Sequence, residues 1–238
     1  MTTIVLTEKE RDDGNLLYVK STLSELFNNS GCGVRFDLNS GRAQLTVSIP
    51  EPYAEIIGAE VYDKLAEVIA IKYKYDYFNS SIHLAAMNKT ERELLLTGLI
   101  SADLSDDKKY AYNHLKGERE LAVDGAFNFR LIPLKKKWQE IVSYIPATFM
   151  GSQLKDFMCF LLENKKKKVY VDGGRVYDSH YRRLKRCSLL GGEGVNVVRE
   201  VLLSGCGEVE LSGKIESDDE HYLKEFYGDR VYFAGAFS

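Results

Sequence analysis

The chain contains no run of about 18 apolar residues, the length at which a membrane-spanning helix becomes readable, and Met1 to Gly14 reaches only Ile4, Val5 and Leu6 before charges intervene. No spanning helix and no signal peptide are expected, and the protein is expected to stay in the cytosol. Cysteine is scarce. Cys32, Cys159, Cys187 and Cys206 lie far apart, with no Cys-x-x-Cys pair and none of the close spacing of a disulfide-rich secreted domain, so they read as reduced thiols filling small apolar sites. His83, His114, His180 and His221 are as scattered, and no metal site is expected. Phosphate-binding loops of the G-x-x-x-x-G-K-[ST] and G-x-G-x-x-G types are missing, as are zinc-finger, RRM and KH signatures. No cofactor is expected.

What remains is the composition of a folded protein: 238 residues, 45% hydrophobic and 28% charged, enough for one large or two small domains with their own cores. The expected fold class is α+β: an N-terminal α+β unit, a helical middle, and a small C-terminal α/β unit with a mixed sheet, divided as residues 1–163 and 164–238. Residues 3–7 read as a strand and 15–28 as a helix ended by Gly31 and Gly33. Val34, Phe36 and Leu38, then Leu45, Val47 and Ile49, alternate with polar residues around the turn 39–42, which predicts a hairpin with one buried face. Pro50 and Pro52 end it. Residues 53–77 carry Ile57, Val61, Leu65 and Val68 at helical spacing. Thr90 with Glu93 reads as a capping box for the next helix, and Ser105 and Ser152 as caps of later ones. Residues 134–145 predict another helix, and its aromatic stripe reads as core.

From Lys165 the period changes to alternation. Lys168 to Asp178 is two strand-like runs joined by Asp172-Gly173-Gly174, a turn whose glycines accept positive φ without steric cost. A helix at 195–203 stopped by Gly205, a strand at 208–212, a helix opened by Ser217 and Glu220 and a strand at 231–234 complete the expected C-terminal unit.

Charge is unevenly spread. Residues 1–129 carry 14 Lys/Arg against 20 Asp/Glu, residues 130–186 carry 14 against 5, and residues 187–238 carry 4 against 10. The basic stretch holds Lys135, Lys136 and Lys137, then Lys165, Lys166, Lys167, Lys168, Arg175, Arg182, Arg183, Lys185 and Arg186, with Tyr170, Tyr177 and Tyr181 interleaved. Cations attract phosphates and rings stack on exposed bases, so the second group is the candidate set of anion or nucleic-acid contacts. The competing reading is a solubilising face whose charges meet acids elsewhere in the fold. Two weaker candidates fare worse. Gly191-Gly192-Glu193-Gly194 before a helix could cradle a phosphate, but the template residues are missing and Glu193 would repel an anion. Asp178, His180 and Cys187 offer a carboxylate, a base and a thiol, but nothing in the spacing brings them together.

At residues 118–131 the run Asp124, Gly125, Phe127, Phe129, Arg130 and Leu131, ahead of a helix, resembles a stretch of the YtxC-like family of sporulation proteins. Ala126 stands where that family usually has an aromatic, and the Ile132-Pro133 step departs from its pattern. The resemblance implies a role in spore formation, with no established reaction and no catalytic residues to carry over. Read by its residues alone, the same run could be a β-turn feeding a buried strand, with Arg130 paired to an acid. The function expected is non-enzymatic: binding or assembly with a protein partner of unspecified kind, and nucleic-acid binding through residues 130–186 as the alternative.

Overall fold

The computed structural model describes residues 1–191 and 194–234. Along the chain they form β1 (Thr2–Lys9), α1 (Gly14–Thr22), α2 (Ser24–Asn29), β2 (Gly33–Asn39), β3 (Arg42–Ile49) and α3 (Ala54–Val68). A π-helical stretch (Ile69–Tyr73) leads into α4 (Lys74–Ser81), followed by α5 (Lys89–Ala102), α6 (Leu104–Leu115), β4 (Glu120–Ala122), α7 (Val123–Phe129), α8 (Ile132–Ser143) and α9 (Leu154–Leu162). The remainder is β5 (Lys167–Asp172), β6 (Arg175–Tyr177), α10 (Asn196–Ser204), β7 (Cys206–Ser212), α11 (Ser217–Tyr227) and β8 (Val231–Phe233). Two four-stranded mixed sheets with helices between their strands make the fold α+β. The chain divides into two units, residues 1–74 with 105–141 and residues 75–104 with 142–238. This differs from the single cut expected at 163/164.

The first unit holds the sheet β2-β3-β1-β4. β1 runs antiparallel to β3, from Thr2 opposite Ile49 to Lys9 opposite Arg42, and parallel to β4. Alternation puts Ile4 and Leu6 of β1 and Ala43, Leu45, Val47 and Ile49 of β3 on one buried face. Helix α3 packs on it with Gly58 beside the Ile4 side chain, and Leu16, Val19, Ile57, Val61 and Leu65 complete this core. Deeper among the helices, the enclosed Lys74 ammonium lies 2.7 Å from Asp107 Oδ2, and Trp138 Nε1 donates to the same carboxylate at 2.8 Å. Burying such a pair is tolerated because its charges and hydrogen bonds answer one another.

The 118–131 run forms β4 and α7, so the turn-and-strand reading is replaced by a helix. Its Asp124 and Arg130 both find ionic partners, Arg42 and Glu118 respectively, each with an N–O distance of 2.7 Å.

The second unit holds the sheet β6-β5-β7-β8, in which β5, β7 and β8 are parallel and β6 is the antiparallel return of a hairpin. Gly173 and Gly174 at its tip have φ of +51° and +78°. At the foot of β5 the register slips between Lys167 and Lys168. There the Lys165 carbonyl comes so close to Gly207 that a Cβ has no space. Val169, Val171, Val176, Val209 and Leu211 form the buried face, which α10 and α11 cover, with α5 and α9 packed against those helices. Helix α5 opens on Asn88, whose side chain accepts from the Glu91 backbone N–H while the Glu91 carboxylate accepts from the Asn88 N–H, both at 2.9 Å. That corrects the expected Thr90–Glu93 box: both residues lie within the helix. Helix α6 already begins at Leu104, ahead of the expected Ser105 cap. Ser152 sits in a 3-10 turn ahead of α9.

Candidate functional site

Because successive strand residues alternate, the valines that bury one face of the second sheet force Lys168, Tyr170, Arg175, Tyr177, Glu208, Glu210 and Tyr232 onto the other. All of them are half-buried or exposed. The pairing register puts four in one line across the strands: Tyr177 opposite Tyr170, Tyr170 opposite Glu210, Glu210 opposite Tyr232. After β6 the chain turns back, and Arg183 pairs with Tyr177, extending the line to Arg183–Tyr177–Tyr170–Glu210–Tyr232.

The turn that returns the chain is built on Asp178. Its carboxylate accepts from the backbone N–H of His180 at 2.8 Å and of Arg182 at 3.0 Å, and from Arg182 Nε at 2.9 Å. Desolvation pushes the Asp178 pKa up, but these donors outweigh it and hold the carboxyl below its ordinary value. The turn sets Tyr181 at a φ of +57° and lays its ring on that of Tyr170, with centroids 4.7 Å apart and planes 19° apart. Beside them, Lys168 Nζ lies 2.7 Å from Glu210 Oε2 and within 6 Å of the ring centres of both Tyr170 and Tyr232.

The structure sorts the nine candidate cations. Lys168 is held by Glu210, and that hydrogen bond raises its pKa. Arg182 is held by Asp178, and the half-buried Arg186 donates to the Leu203 carbonyl. Lys165, Lys166, Lys167, Arg175, Arg183 and Lys185 carry no side-chain hydrogen bond or ion pair among the described residues. Arg175 and Arg183 share the open face with the tyrosines, and Lys165 to Lys167 lead into the strand that carries Tyr170. Lys135, Lys136 and Lys137 belong to the first unit.

The other candidates are occupied by structural work. Gly192 and Glu193 lie outside the described residues. Next to them, the start of α10 is already capped: Asp219 of α11 accepts from the Val198 N–H at 2.9 Å, supplying the negative charge that a phosphate would bring. An open cleft of about 680 Å³ nearby is lined by Lys214 but also by Glu216 and Asp219. Cys187 donates to Asn196. Burial pushes its thiol up to about 12 although Arg199 opposes the shift, so it stays protonated and is no nucleophile at neutral pH. No hydrogen bond joins it to His180 among the described residues.

Two buried clusters are absent from the sequence reading. In the second unit, Arg199 donates to the Gly191 carbonyl at 2.6 Å and lies 3.3 Å from Glu93, which also accepts from the Tyr75 hydroxyl at 2.7 Å. In the first, fully buried Glu8 accepts from the Tyr73 hydroxyl at 2.7 Å. Next to it Arg42 grips Asp124 through two nitrogens, at 2.7 and 3.1 Å, and donates to Thr7. Desolvation raises the Glu8 pKa against the Tyr73 hydrogen bond, while the Arg42 hydrogen bond lowers that of Asp124. Both clusters tie elements together within their unit.

No protein-family model, curated protein or solved structure matches this chain.

Proposed function

We propose that this protein acts by binding rather than by catalysis, and that the open face of its second sheet takes single-stranded nucleic acid. One observation carries the reading: the line Arg183–Tyr177–Tyr170–Glu210–Tyr232 presents aromatic rings on a solvent-facing sheet, with Arg175 and Arg183 on the same face and Lys165 to Lys167 ahead of it, none of which has an acidic partner among the described residues. Rings on an open sheet stack on bases whatever their identity, and uncommitted cations meet the phosphates. Glu210 does not oppose this, because Lys168 neutralises it. A duplex hides its bases from such rings, so single strands are the favoured form.

The test is fluorescence anisotropy with a labelled oligothymidine of about 12 nucleotides, within the span of a one-domain site, at low salt. The native protein binds. Tyr170→Ala weakens binding by about 1–3 kcal/mol, the stacking contribution of one base, and a Lys166→Glu, Lys167→Glu, Arg183→Glu variant abolishes it. An equal preference for duplex, or indifference to both variants, refutes the reading. The setting we propose is spore formation, supported by the resemblance at Asp124, Gly125, Phe127, Phe129, Arg130 and Leu131. Its check is separate: a spore-former lacking the gene should form fewer heat-resistant spores.

A further inference from the structure

We propose that Tyr181 is a built-in stand-in for a nucleobase: it covers the stacking face of Tyr170 in the unbound protein, and an incoming base displaces it. This inference rests on the nucleic-acid reading of the same sheet face. The Tyr170–Tyr181 geometry, with centroids 4.7 Å apart and planes 19° apart, is the offset stack that a base on a tyrosine also adopts. Tyr181 nevertheless remains 69% exposed, so its ring is a cover lying on the surface. It buries too little of itself to be core.

The chain goes out of its way to put the ring there. A φ of +57° is rarely adopted by an aromatic residue, and the backbone is held in it by three hydrogen bonds converging on the Asp178 carboxylate, from His180 N–H, Arg182 N–H and Arg182 Nε. Arg183, directly after the turn, stands opposite Tyr177 in the same line. A nucleotide seated on Tyr170 in place of Tyr181 would therefore find its phosphate next to an uncommitted guanidinium. A face that keeps its central ring covered until a strand competes for it binds only after the cover lifts, and the apparent affinity falls by the fraction of time that the ring is open.

Tyr181→Gly separates this from the opposite possibility, a clamp closing over the base. Glycine accepts the positive φ without steric cost, and the Asp178 hydrogen bonds that build the turn do not involve the Tyr181 side chain, so the turn and the fold are kept. Measured by anisotropy with the same oligothymidine, Tyr181→Gly binds about tenfold tighter than the native protein, the stacking energy of one ring pair, and associates faster. Adding Tyr170→Ala to Tyr181→Gly removes the gain. Native binding with equal or weaker binding by Tyr181→Gly overturns the stand-in and leaves the nucleic-acid reading intact. A double variant that binds as tightly as Tyr181→Gly also overturns it, because Tyr170 is then not the seat. If neither the native protein nor Tyr181→Gly binds, the nucleic-acid reading fails and this inference with it.

Discussion

Glu8 continues the inward alternation of Ile4 and Leu6, so the strand period already assigns it to the core face, and its cost lies in desolvation. A carboxyl whose pKa is raised on folding gives stability that is complete below its unfolded value and lost as pH rises through the folded one. Glu8→Gln keeps the shape and removes the charge, at the expense of one acceptor, since both carboxylate oxygens accept hydrogen bonds. Its melting temperature relative to the native protein should therefore climb as pH rises above about 4.5, the ordinary glutamate range. Asp124 has the opposite sign. Its lowered pKa supplies stability above the ordinary aspartate value that is lost on acidification, so Asp124→Asn should be most destabilising near neutral pH and converge on the native protein in acid. Thermal unfolding across pH checks both, and a pH-independent difference for either variant contradicts the assignment. Only part of the sheet face was legible: Lys168, Tyr170, Arg175, Tyr177 and Arg183 stand out by composition within Lys165 to Arg186, whereas Glu208, Glu210 and Tyr232, which share the face, do not. Pairing was not legible. Nothing in the spacing says that Asp178 takes Arg182, that Glu210 takes Lys168, or that Tyr181 lies over Tyr170, because those depend on a left-handed turn and on a strand 38 or more residues further along.

At the scale of elements, period and turn chemistry served well wherever they were local. The β2–β3 hairpin and the β5–β6 hairpin follow from alternation and from turn residues that tolerate positive φ: Ser40, Gly41, Gly173 and Gly174 adopt it. Helix starts were harder. Thr90 with Glu93 has the spacing of a capping box, but Asn88 is the stronger cap and finds Glu91 at the same spacing two residues earlier. That frees Glu93 to turn inward to Tyr75 and Arg199. The β5–β6 tip makes a prediction of its own. At φ +78° a Cβ crowds the carbonyl oxygen, so Gly174→Ala should cost about 1–2 kcal/mol in urea unfolding. It should weaken oligothymidine binding as well, since Arg175 and Tyr177 ride on β6. The exposed Arg175→Ala, a surface change, should leave stability within about 0.5 kcal/mol. Equal effects of the two substitutions on stability would show that the turn does not set the hairpin.

Over the whole molecule, the boundaries between the two units were not readable. The chain passes between units at 74/75, 104/105 and 141/142, and all three fall inside helical stretches: α3 to α4, the first turn of α6, and α8. A helix keeps its hydrophobic period on either side of such a point, so no composition shift marks it, whereas the change to β-alternation near Lys165 is conspicuous and lies within the second unit. The charge pattern is likewise a whole-molecule property. The chain is net acidic at −3, so any affinity for a polyanion must come from local cations and must be screened accordingly. If all of Lys165, Lys166, Lys167, Arg175, Arg183 and Lys185 met phosphates, the logarithm of the binding constant would fall with the logarithm of salt at a slope of about −4, at roughly −0.7 per phosphate on a single strand. Arg183→Gln should reduce that slope by about 0.7, while Lys168→Gln, which leaves the Glu210 carboxylate unneutralised in the middle of the line, should weaken binding at every salt concentration. A titration series over salt concentration reads both. A slope insensitive to Arg183 would mean that the cations of this face are solvated rather than used, and a slope steeper than −4 would place phosphate contacts outside it.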